Sequence, residues 1–458
     1  MTHDKLSMHY HHHTTLDMTA GSISKLLLTF ALPLIAGNLF QQLYNTVDSI
    51  VVGNYVGKEA LAAIGSTTSL INTIIGFFGG LAAGGSVVIA QYFGAQEIVK
   101  LRKTVHTLVT GTIILGVVFT FVGIGAAPLM LRAMSTPDDV FANADAYLRI
   151  YFAGIISLMC YNIGSGILRA VGDSRRPLYF LIISSLLNVA LDLLFVVVFQ
   201  LGVAGVAYAT IISETVSAIL VFVVLARSNE CYALAANELV ISFDILKQII
   251  KIGFPSGFQM AITAFSNVFV QGYINHFGSS FMAGWASYTK IDQFAFLPLQ
   301  SVALAATTFV GQNYGARKIQ RVKDGVHHAL LLSFEITVVV IIPLMIFARE
   351  LVSLFNKDAE VLYYGMFLIR ACSPFYLAAA INHVYASALR GLGNSFPPMI
   401  LMLCSFVVFR QLYLFIATRI TDSFYPVAVA YPVGWVLCSI LIVVYYHMYM
   451  QKLKFKVD

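Results

Sequence analysis

The 458-residue sequence is 59% hydrophobic and only 11% charged, with 28 basic and 22 acidic residues. Soluble domains carry about 25% charged residues, so this composition excludes a soluble globular protein. Long apolar segments recur from end to end, which predicts an all-α polytopic membrane protein and favours a helical bundle over a barrel. The net charge of +6 does not indicate a nucleic-acid partner, because the placement of the basic residues accounts for it.

Twelve apolar segments long enough to cross a bilayer follow a polar N-terminal tail. Their ranges are 26–52, 60–85, 104–127, 146–168, 178–199, 203–226, 247–275, 281–309, 326–348, 361–388, 397–419 and 424–450. The predicted domains are an N-terminal tail (1–24), an N-lobe of spans 1 to 6 (25–227), a linker (228–246), a C-lobe of spans 7 to 12 (247–450) and a C-terminal tail (451–458). The N-terminal tail has no signal-peptide pattern. Its clustered histidines are interpreted as part of a tag-like tail rather than as metal ligands; they are His9, His11, His12 and His13.

The distribution of basic residues predicts how the chain is inserted. If the N-terminus is cytosolic, 19 of the 28 basic residues fall in inner loops and tails, and seven fall at the outer side. Lys290 and Arg410 are the two that lie inside spans. By the positive-inside rule, both termini are predicted to be cytosolic in a multi-pass protein of the plasma or inner membrane.

An internal repeat relates the two halves of the chain. The run Gln91–Ala95, after span 2, recurs as Gln312–Ala316, after span 8. The run Leu168–Ser174 recurs as Leu389–Ser395, and both offsets are 221 residues. A constant offset over so long a stretch predicts two six-span halves with the same topology. Transporters built from such parallel repeats rock two bundles around a central site.

Several motifs, each weak alone, together resemble those of the multidrug and toxic compound extrusion (MATE) transporters. They are Pro33 in span 1, Val47-Asp48-Ser49 closing at Gly53, Gln-x-x-Gly-Ala after spans 2 and 8, and Arg-x-x-Gly-Asp/Asn-Ser after spans 4 and 10. The resemblance extends from about Ser24 to Tyr446. It implies twelve transmembrane helices in two pseudo-symmetric six-helix bundles, arranged as a V. It also implies a rocking cycle that exports small organic cations and drugs in exchange for H+ or Na+.

We expect this protein to work as a monomer in the lipid bilayer, without a nucleic-acid partner. No cofactor is expected besides the coupling ion, H+ or Na+. The sequence has no GxxxxGK[ST], HExxH or GxSxG motif, so an ATP-driven pump and a hydrolytic enzyme are both disfavoured. Two alternatives remain: a flippase of the related lipid-linked oligosaccharide exporters, which needs a basic central cavity, and a membrane-embedded enzyme.

Asp48 is the only charged residue between Lys25 and Lys58. A carboxylate inside a membrane-length helix costs a few kcal/mol unless it pairs, faces water or takes up a proton. We therefore predict that Asp48 belongs to the ion-coupling site. At the 221-residue offset Asp48 maps to Phe269 and Asp192 maps to Tyr413, so the coupling is placed in the N-lobe alone.

Three polar residues of spans 5 and 6 are predicted to join Asp48. Asn188 and Asp192 are four residues apart and share a helix face. Asp192 and Thr210 flank the outer turn between the spans, so both lie about 14 Å below it at 1.5 Å per residue. The MATE resemblance implies that these residues form a cation or proton site; if the ion is Na+, Asp48 and Asp192 are its metal ligands. The alternative is a structural hydrogen bond to a neighbouring helix.

Further polar residues in the spans are candidates for other roles. Glu214, one turn deeper than Thr210, together with Gln42 and Asn45, is a candidate for a proton path or a substrate contact; alternatively Glu214 is a paired buried acid. Lys290 and Asp292 are candidates for the substrate cavity, and Glu335 and Arg410 for a structural role. Asp292 or Glu335 is expected to pair with Lys290 or Arg410.

Overall fold

The computed structural model describes residues 15–56, 58–134 and 136–457, so the tail histidines lie outside the described residues. Within that part the chain is almost entirely helical and contains no strand. The α-helices are α1 (Ile23–Val51), α2 (Lys58–Gly94), α3 (Ile98–Ala133), α4 (Asp138–Ala153), α5 (Ile155–Ala170), α6 (Arg175–Asp192), α7 (Gly202–Arg227), α8 (Phe243–His276), α9 (Gly278–Gly315), α10 (Ile319–Ile346), α11 (Ala348–Ser353), α12 (Ala359–Cys372), α13 (Tyr376–Gly391), α14 (Phe396–Leu403), α15 (Arg410–Ile420) and α16 (Tyr425–Val457). Three π-helical turns interrupt or extend them, at Val52–Val56, Leu193–Val198 and Cys404–Phe409. Two short 3-10 turns lie at Ala236–Glu238 and Ser373–Phe375.

These helices confirm an all-α polytopic membrane protein. Every predicted span coincides with helix, but by length and hydropathy ten spans of the described chain can cross a membrane, or eleven if the bent pair α4 and α5 is one span. The predicted span that fails this test is span 7, which lies in α8. Ser256, Gln259 and Asn267 interrupt the apolar run of α8, so its mean hydropathy is low although its length is sufficient.

The span predicted at 146–168 is broken in the structure. The structure divides this span into α4 and α5, bent by 47° at the break. Gly154 lies at the break, and a Cβ there would be 2.4 Å from Cγ1 of Ile211 on α7. The bend therefore lets α7 pass close to the backbone.

The 221-residue repeat is visible in the backbone. Gln96 and Arg317 adopt φ angles of 57° and 58°, and Gly172 and Gly393 adopt φ angles of 92° and 80°. Each pair is one repeat length apart, and left-handed residues are uncommon enough for their coincidence to be informative. The same turns therefore follow α2 and α9, and the same turns follow α5 and α13.

The two halves meet mainly where α2 packs on α8. A Cβ at Gly80 would be 2.1 Å from the backbone nitrogen of Gly257, and a Cβ at Gly84 would be 2.5 Å from Cα of Gly253. Small residues facing each other let helix backbones approach closely, which is how helices associate in lipid. Gly80 and Gly84 of span 2 thus serve helix packing.

The halves also meet at the end of the bundle where the chain begins, here called the tail end and defined by Met18, Gly94 and Gly315. Met18 is fully buried, and its N–H donates to Oε1 of Gln312 at 3.0 Å. Asn313 Nδ2 donates to the Met18 carbonyl oxygen at 3.0 Å. The segment that precedes α1 is thereby fastened to the end of α9.

The Gln-x-x-Gly-Ala motifs form a reciprocal contact at the tail end. Gln91 Nε2 donates to the Gly391 carbonyl oxygen at 2.8 Å, and Gln312 Nε2 donates to the Ala170 carbonyl oxygen at 2.9 Å. Donors and acceptors are each 221 residues apart, so each half supplies the glutamine that binds the helix end of the other. This pseudo-twofold contact explains why the motif occurs in both halves.

Candidate functional site

The carboxyl groups of Asp48 on α1 and Asp192 on α6 lie against each other. Asp48 is four residues before the π turn Val52–Val56, and Asp192 directly precedes the π turn Leu193–Val198. The two π turns are themselves in contact. A π turn inserts an extra residue into a helix, and such turns recur at functional sites. The local backbone therefore brings two acids from different helices to one point.

This carboxyl pair is withdrawn from solvent and receives few hydrogen bonds. Asp192 is 0% exposed and Asp48 is half-buried. Oδ1 of Asp48 and both carboxyl oxygens of Asp192 accept no bond from an N–H or O–H group of the described chain. Two carboxylates in a low-dielectric site repel each other, so their contact requires a shared proton or a cation between them.

Asn188 lies one turn before Asp192 on α6 and is 2% exposed. Neither its Oδ1 nor its Nδ2 has a hydrogen-bond partner among the described residues. Because buried amides are nearly always bonded, this side chain is placed to serve an exchangeable group. Its oxygen suits a hard cation, and its amide can partner a protonated acid. Thr210 is engaged differently, since its Oγ1 donates to the Val206 carbonyl oxygen at 3.0 Å.

The sequence reasoning missed a group of tyrosines around the acids. The buried phenol of Tyr147 on α4 lies close to both Asp48 and Asp192. One turn further, the ring of Tyr151 stacks on that of Tyr147 with centroids 6.4 Å apart. Tyr44 lies one turn before Asp48 on α1 and interacts with its carboxyl group. The available signal was the spacing of four residues between Tyr44 and Asp48 and between Tyr147 and Tyr151. This spacing places the two members of each pair on one helix face.

The remaining N-half candidates occupy different positions. Glu214 on α7 is half-buried, and its Oε2 accepts no hydrogen bond from the described residues. Gln42 Nε2 donates to Oε1 of Gln293 on α9 at 3.0 Å, so Gln42 joins the two halves. Asn45 is exposed. Glu214 lines a cavity between α1, α5, α6 and α7. Gln42 belongs to the boundary between the halves.

The predicted ion pairs in the C-half are wrong. Asp292 accepts hydrogen bonds from the phenols of Tyr376 at 2.5 Å and Tyr288 at 3.1 Å. Lys290, two residues earlier on α9, is exposed and on another face of the helix. Glu335 on α10 is exposed as well. Phenol donors can satisfy a buried carboxyl group without a cation, and spacing in the sequence does not reveal them.

Arg410, which follows the third π turn, is 3% exposed and also has uncharged partners. Its Nη2 donates to Oδ1 of Asn267 at 2.7 Å and to Oγ of Ser266 at 3.2 Å, both on α8. Its guanidinium stacks on the ring of Tyr431, 4.5 Å from the centroid. This arrangement fastens α15 to α8 and α16, which agrees with the predicted structural role for Arg410.

We expect Asn267→Ala to destabilise the protein by about 2 kcal/mol, because it removes the shortest acceptor of a buried charge. Thermal unfolding of the detergent-solubilised protein measures the loss. The double variant Asn267→Ala with Arg410→Met is expected to be more stable than Asn267→Ala alone, because it no longer buries the charge. If the double variant is the less stable of the two, this account of Arg410 is wrong.

Comparisons with known proteins agree with the fold in two halves. The family model described as MatE matches the chain twice, over residues 33–194 and 255–416, one match in each half. A probable multidrug resistance protein of Bacillus subtilis is 28% identical over 395 residues, which cover 86% of this chain and 88% of that protein. A probable multidrug resistance protein of Thermotoga maritima is 26% identical over 84% of this chain and 83% of that protein.

A solved multidrug resistance MATE transporter of the MOP superfamily, in its outward-facing conformation, is 25% identical to this chain. It superposes with a TM-score of 0.91 over 96% of this chain and 99% of that chain. The likeness thus extends over almost the whole molecule. Given the double family match and this fold, the chain belongs to the MATE family of multidrug efflux transporters and is not an enzyme.

Proposed function

We propose that this protein exports small organic cations in exchange for H+ or Na+ by rocker-switch alternating access, with coupling at the carboxyl pair. The observation that carries the proposal is the contact between Asp48 and Asp192, with Asn188 beside it and no donor from the described chain on Oδ1 of Asp48 or on either carboxyl oxygen of Asp192. Such a pair can couple ion binding to transport by changing its charge state. The relatives in Bacillus subtilis and Thermotoga maritima are probable multidrug resistance proteins, which supports small drug-like compounds as the substrate class.

The carboxyl pair can drive a rocking cycle because its occupancy differs between states. A ligand shifts a conformational equilibrium only by its difference in affinity for the two states. An ion that enters from outside neutralises the pair and stabilises the state in which the two acids are in contact. Release of the ion on the inner side then returns the charge and favours the other state. Organic cations leave during the half-cycle in which the pair is occupied.

We further propose the topology in which this cycle runs. Both termini face the cytosol of a plasma-membrane protein that acts as a monomer, and the tail end is its inner side. The N-lobe (25–227) contains the coupling site. The C-lobe (247–450) has Phe269 and Tyr413 at the corresponding positions and supplies the opposite wall. The linker is anchored on α3, where Ala235 N–H donates to Nε2 of His106 at 3.0 Å.

A lipid-linked oligosaccharide flippase is less well supported. Such a protein needs several basic residues around a central cavity. Arg410 is instead enclosed by Asn267, Ser266 and Tyr431 between helices, and Lys290 is the other basic residue that the sequence places inside a span.

Transport in liposomes tests the proposed function. We expect the purified protein to move ethidium against its gradient when either a pH gradient without Na+ or a Na+ gradient at equal pH is imposed. The gradient that drives transport identifies the coupling ion. Ethidium movement that ignores both gradients contradicts the proposal, and empty liposomes under each gradient are the control.

A further inference from the structure

An apolar groove lies where the two halves of the chain meet. It has a volume of about 360 Å³ and is bounded by α2, α3 and α5 of the N-half and by the beginning of α8 in the C-half. Its wall is almost wholly apolar and includes Phe77, Leu108, Leu115 and Ile250. Leu115 and Ile250 are also exposed at the surface of the bundle. The groove therefore opens at a surface that faces lipid.

The few polar side chains in the groove already have partners. Thr107 Oγ1 accepts a hydrogen bond from the Ser242 N–H at 3.1 Å. The Thr112 hydroxyl and the Asn162 amide each donate to a backbone carbonyl oxygen one turn earlier on their own helix, at 2.7 and 2.9 Å. A wall of this kind gains from contact with hydrocarbon and offers little to a polar ligand.

The length of the groove matches one leaflet of a bilayer. Its lining residues on α3 run from Thr107 to Phe119, which is about 18 Å along the helix at 1.5 Å per residue. Half of the hydrocarbon core of a bilayer is roughly 15 Å thick. Phe119 lies at the deep end, in edge-to-face contact with Phe78 at a centroid distance of 4.7 Å. A single acyl chain of one leaflet therefore fits the groove.

At its other end the groove is continuous with a second cavity, here called the mouth. Thr107 lines both. The mouth has a volume of about 710 Å³ and lies between the first turns of α3 and the linker, where its lining includes Lys103 and Asn237. Because α3 begins four residues after Gly94, the mouth is on the tail-end side of the groove. The apolar groove thus leads to a polar cavity at the membrane surface.

The α3 side of the mouth has a basic side chain that is free to bind an anion. Arg102 is not free, since its Nε and Nη2 donate to the carboxylate of Glu238 at 2.6 and 2.8 Å and the two charges neutralise each other. Lys103 is exposed and lies one turn before Thr107, on the same helix face. Among the residues that the structure describes, it has no ion pair and no hydrogen bond.

The α8 side adds further positive charge. Lys247 is exposed and precedes Ile250 by three residues, so it shares the helix face that lines the groove. It too has no ion pair within the described part of the chain. Lys251 follows one turn later, and Asp244 is the only acidic residue of α8. Lysines in this position extend their ammonium groups to the level of lipid headgroups while their stems stay among apolar groups.

We propose that the groove and its mouth bind one anionic phospholipid from the leaflet at the tail end. One acyl chain lies in the groove between α3 and α8, and the phosphate lies between Lys103 and Lys247. An exported organic cation suits this site poorly, because the same lysines repel it. Both halves contribute to the site, so lipid binding favours the arrangement in which α8 lies beside α3. The inference is independent of the coupling ion and requires only that the chain crosses a bilayer.

Native mass spectrometry of the full-length protein in detergent tests the headgroup contacts. We expect the wild type to bind dioleoyl phosphatidylglycerol more tightly than dioleoyl phosphatidylcholine. The double variant Lys103→Gln with Lys247→Gln is expected to bind phosphatidylglycerol about thirtyfold more weakly, since each lysine near an anionic headgroup contributes roughly fivefold. Its affinity for phosphatidylcholine is expected to stay unchanged. Lys25→Gln with Lys452→Gln removes the same charge from exposed positions on α1 and α16 and is the matched control.

A second variant tests the acyl chain. Leu115→Trp places a larger side chain in the groove and is expected to weaken the binding of both phospholipids by about tenfold. Val117→Trp is the matched control, because Val117 is exposed on the opposite face of α3. The unfolding temperature of each variant in detergent shows whether it is folded. Should Leu115→Trp fail to fold, the lysine variants at exposed positions still test the site.

Three results would overturn the inference. The first is equal affinity of the wild type for the two phospholipids, or equal phosphatidylglycerol affinity in the lysine double variant and its control. The second is displacement of phosphatidylglycerol by glycerophosphate at a similar concentration, which would make the mouth a site for a soluble anion. The third is displacement of the lipid by ethidium in the wild type but not in Leu115→Trp, which would make the groove a drug site.

Discussion

Asp192→Asn is expected to abolish ion-driven export, with a loss of at least about a hundredfold in transport rate. Asparagine has nearly the same shape but cannot exchange a charge for a proton or an ion. With one member of the pair permanently neutral, ion binding no longer distinguishes the two conformations, and the gradient cannot drive the cycle. Ethidium transport by reconstituted protein under the driving gradient measures the effect, and Asp48→Asn is expected to behave alike.

Thermal stability distinguishes this role from a structural hydrogen bond. Asp192 is fully buried, and its oxygens accept no bond from an N–H or O–H group of the described chain. Asp192→Asn is therefore expected to retain the unfolding temperature of the wild type, whereas loss of a structural bond would lower it by the equivalent of about 1 kcal/mol or more. Asp139→Asn, at an exposed acid in the first turn of α4, is the matched control for transport. Gradient-driven transport by Asp192→Asn at the wild-type rate would exclude the pair as the coupling site.

The acids of the site were predictable because each is an exception in an apolar segment. A carboxylate in a span is costly enough to be retained only for a reason, and hairpin geometry sets its depth. Those two arguments placed Asp48 and Asp192 in one layer, and the structure has them in contact. They could not show that both acids adjoin π turns, because a π turn results from tertiary packing rather than from a local sequence signal.

The uncharged partners of Asp292 and Arg410 were not predictable, for a different reason. Opposite charges in a sequence invite pairing, which led to the expectation that Asp292 binds a basic residue. In the fold, Asp292 accepts from Tyr288 and Tyr376, and Arg410 donates to Asn267. Tyrosine and asparagine in a span have many roles, so their choice as partners follows only from which helix faces meet. The repeat, in contrast, was readable from the sequence, since its offset is fixed and its motifs lie at the contact between the halves.

The second large effect is expected at that contact, from Gly94→Val or Gly315→Val. A Cβ at Gly94 would lie 1.8 Å from the carbonyl oxygen of Gln312, and a Cβ at Gly315 would lie 1.9 Å from that of Gln91. The obstructing atoms are backbone, so no side chain can move to make room. The helix ends must separate, which also breaks the hydrogen bonds from Gln91 and Gln312 to the opposite half. Either substitution therefore opens the tail end and destabilises the arrangement in which it is closed.

We expect each variant to lose about 1–3 kcal/mol of stability, as overpacking usually costs, together with its gradient-driven transport. A single cysteine introduced at Ala95 in a background without the five native cysteines is expected to react faster with a water-soluble maleimide in Gly315→Val than in the parent. Gly111→Val is the matched control, because a Cβ there has nothing within 4 Å. If Gly315→Val matches Gly111→Val in stability, labelling and transport, the two Gln-x-x-Gly-Ala motifs do not hold the halves together. Because the contact is reciprocal, Gly94→Val and Gly315→Val must also show similar effects, and a large difference between them would show that the pseudo-twofold symmetry does not extend to the energetics.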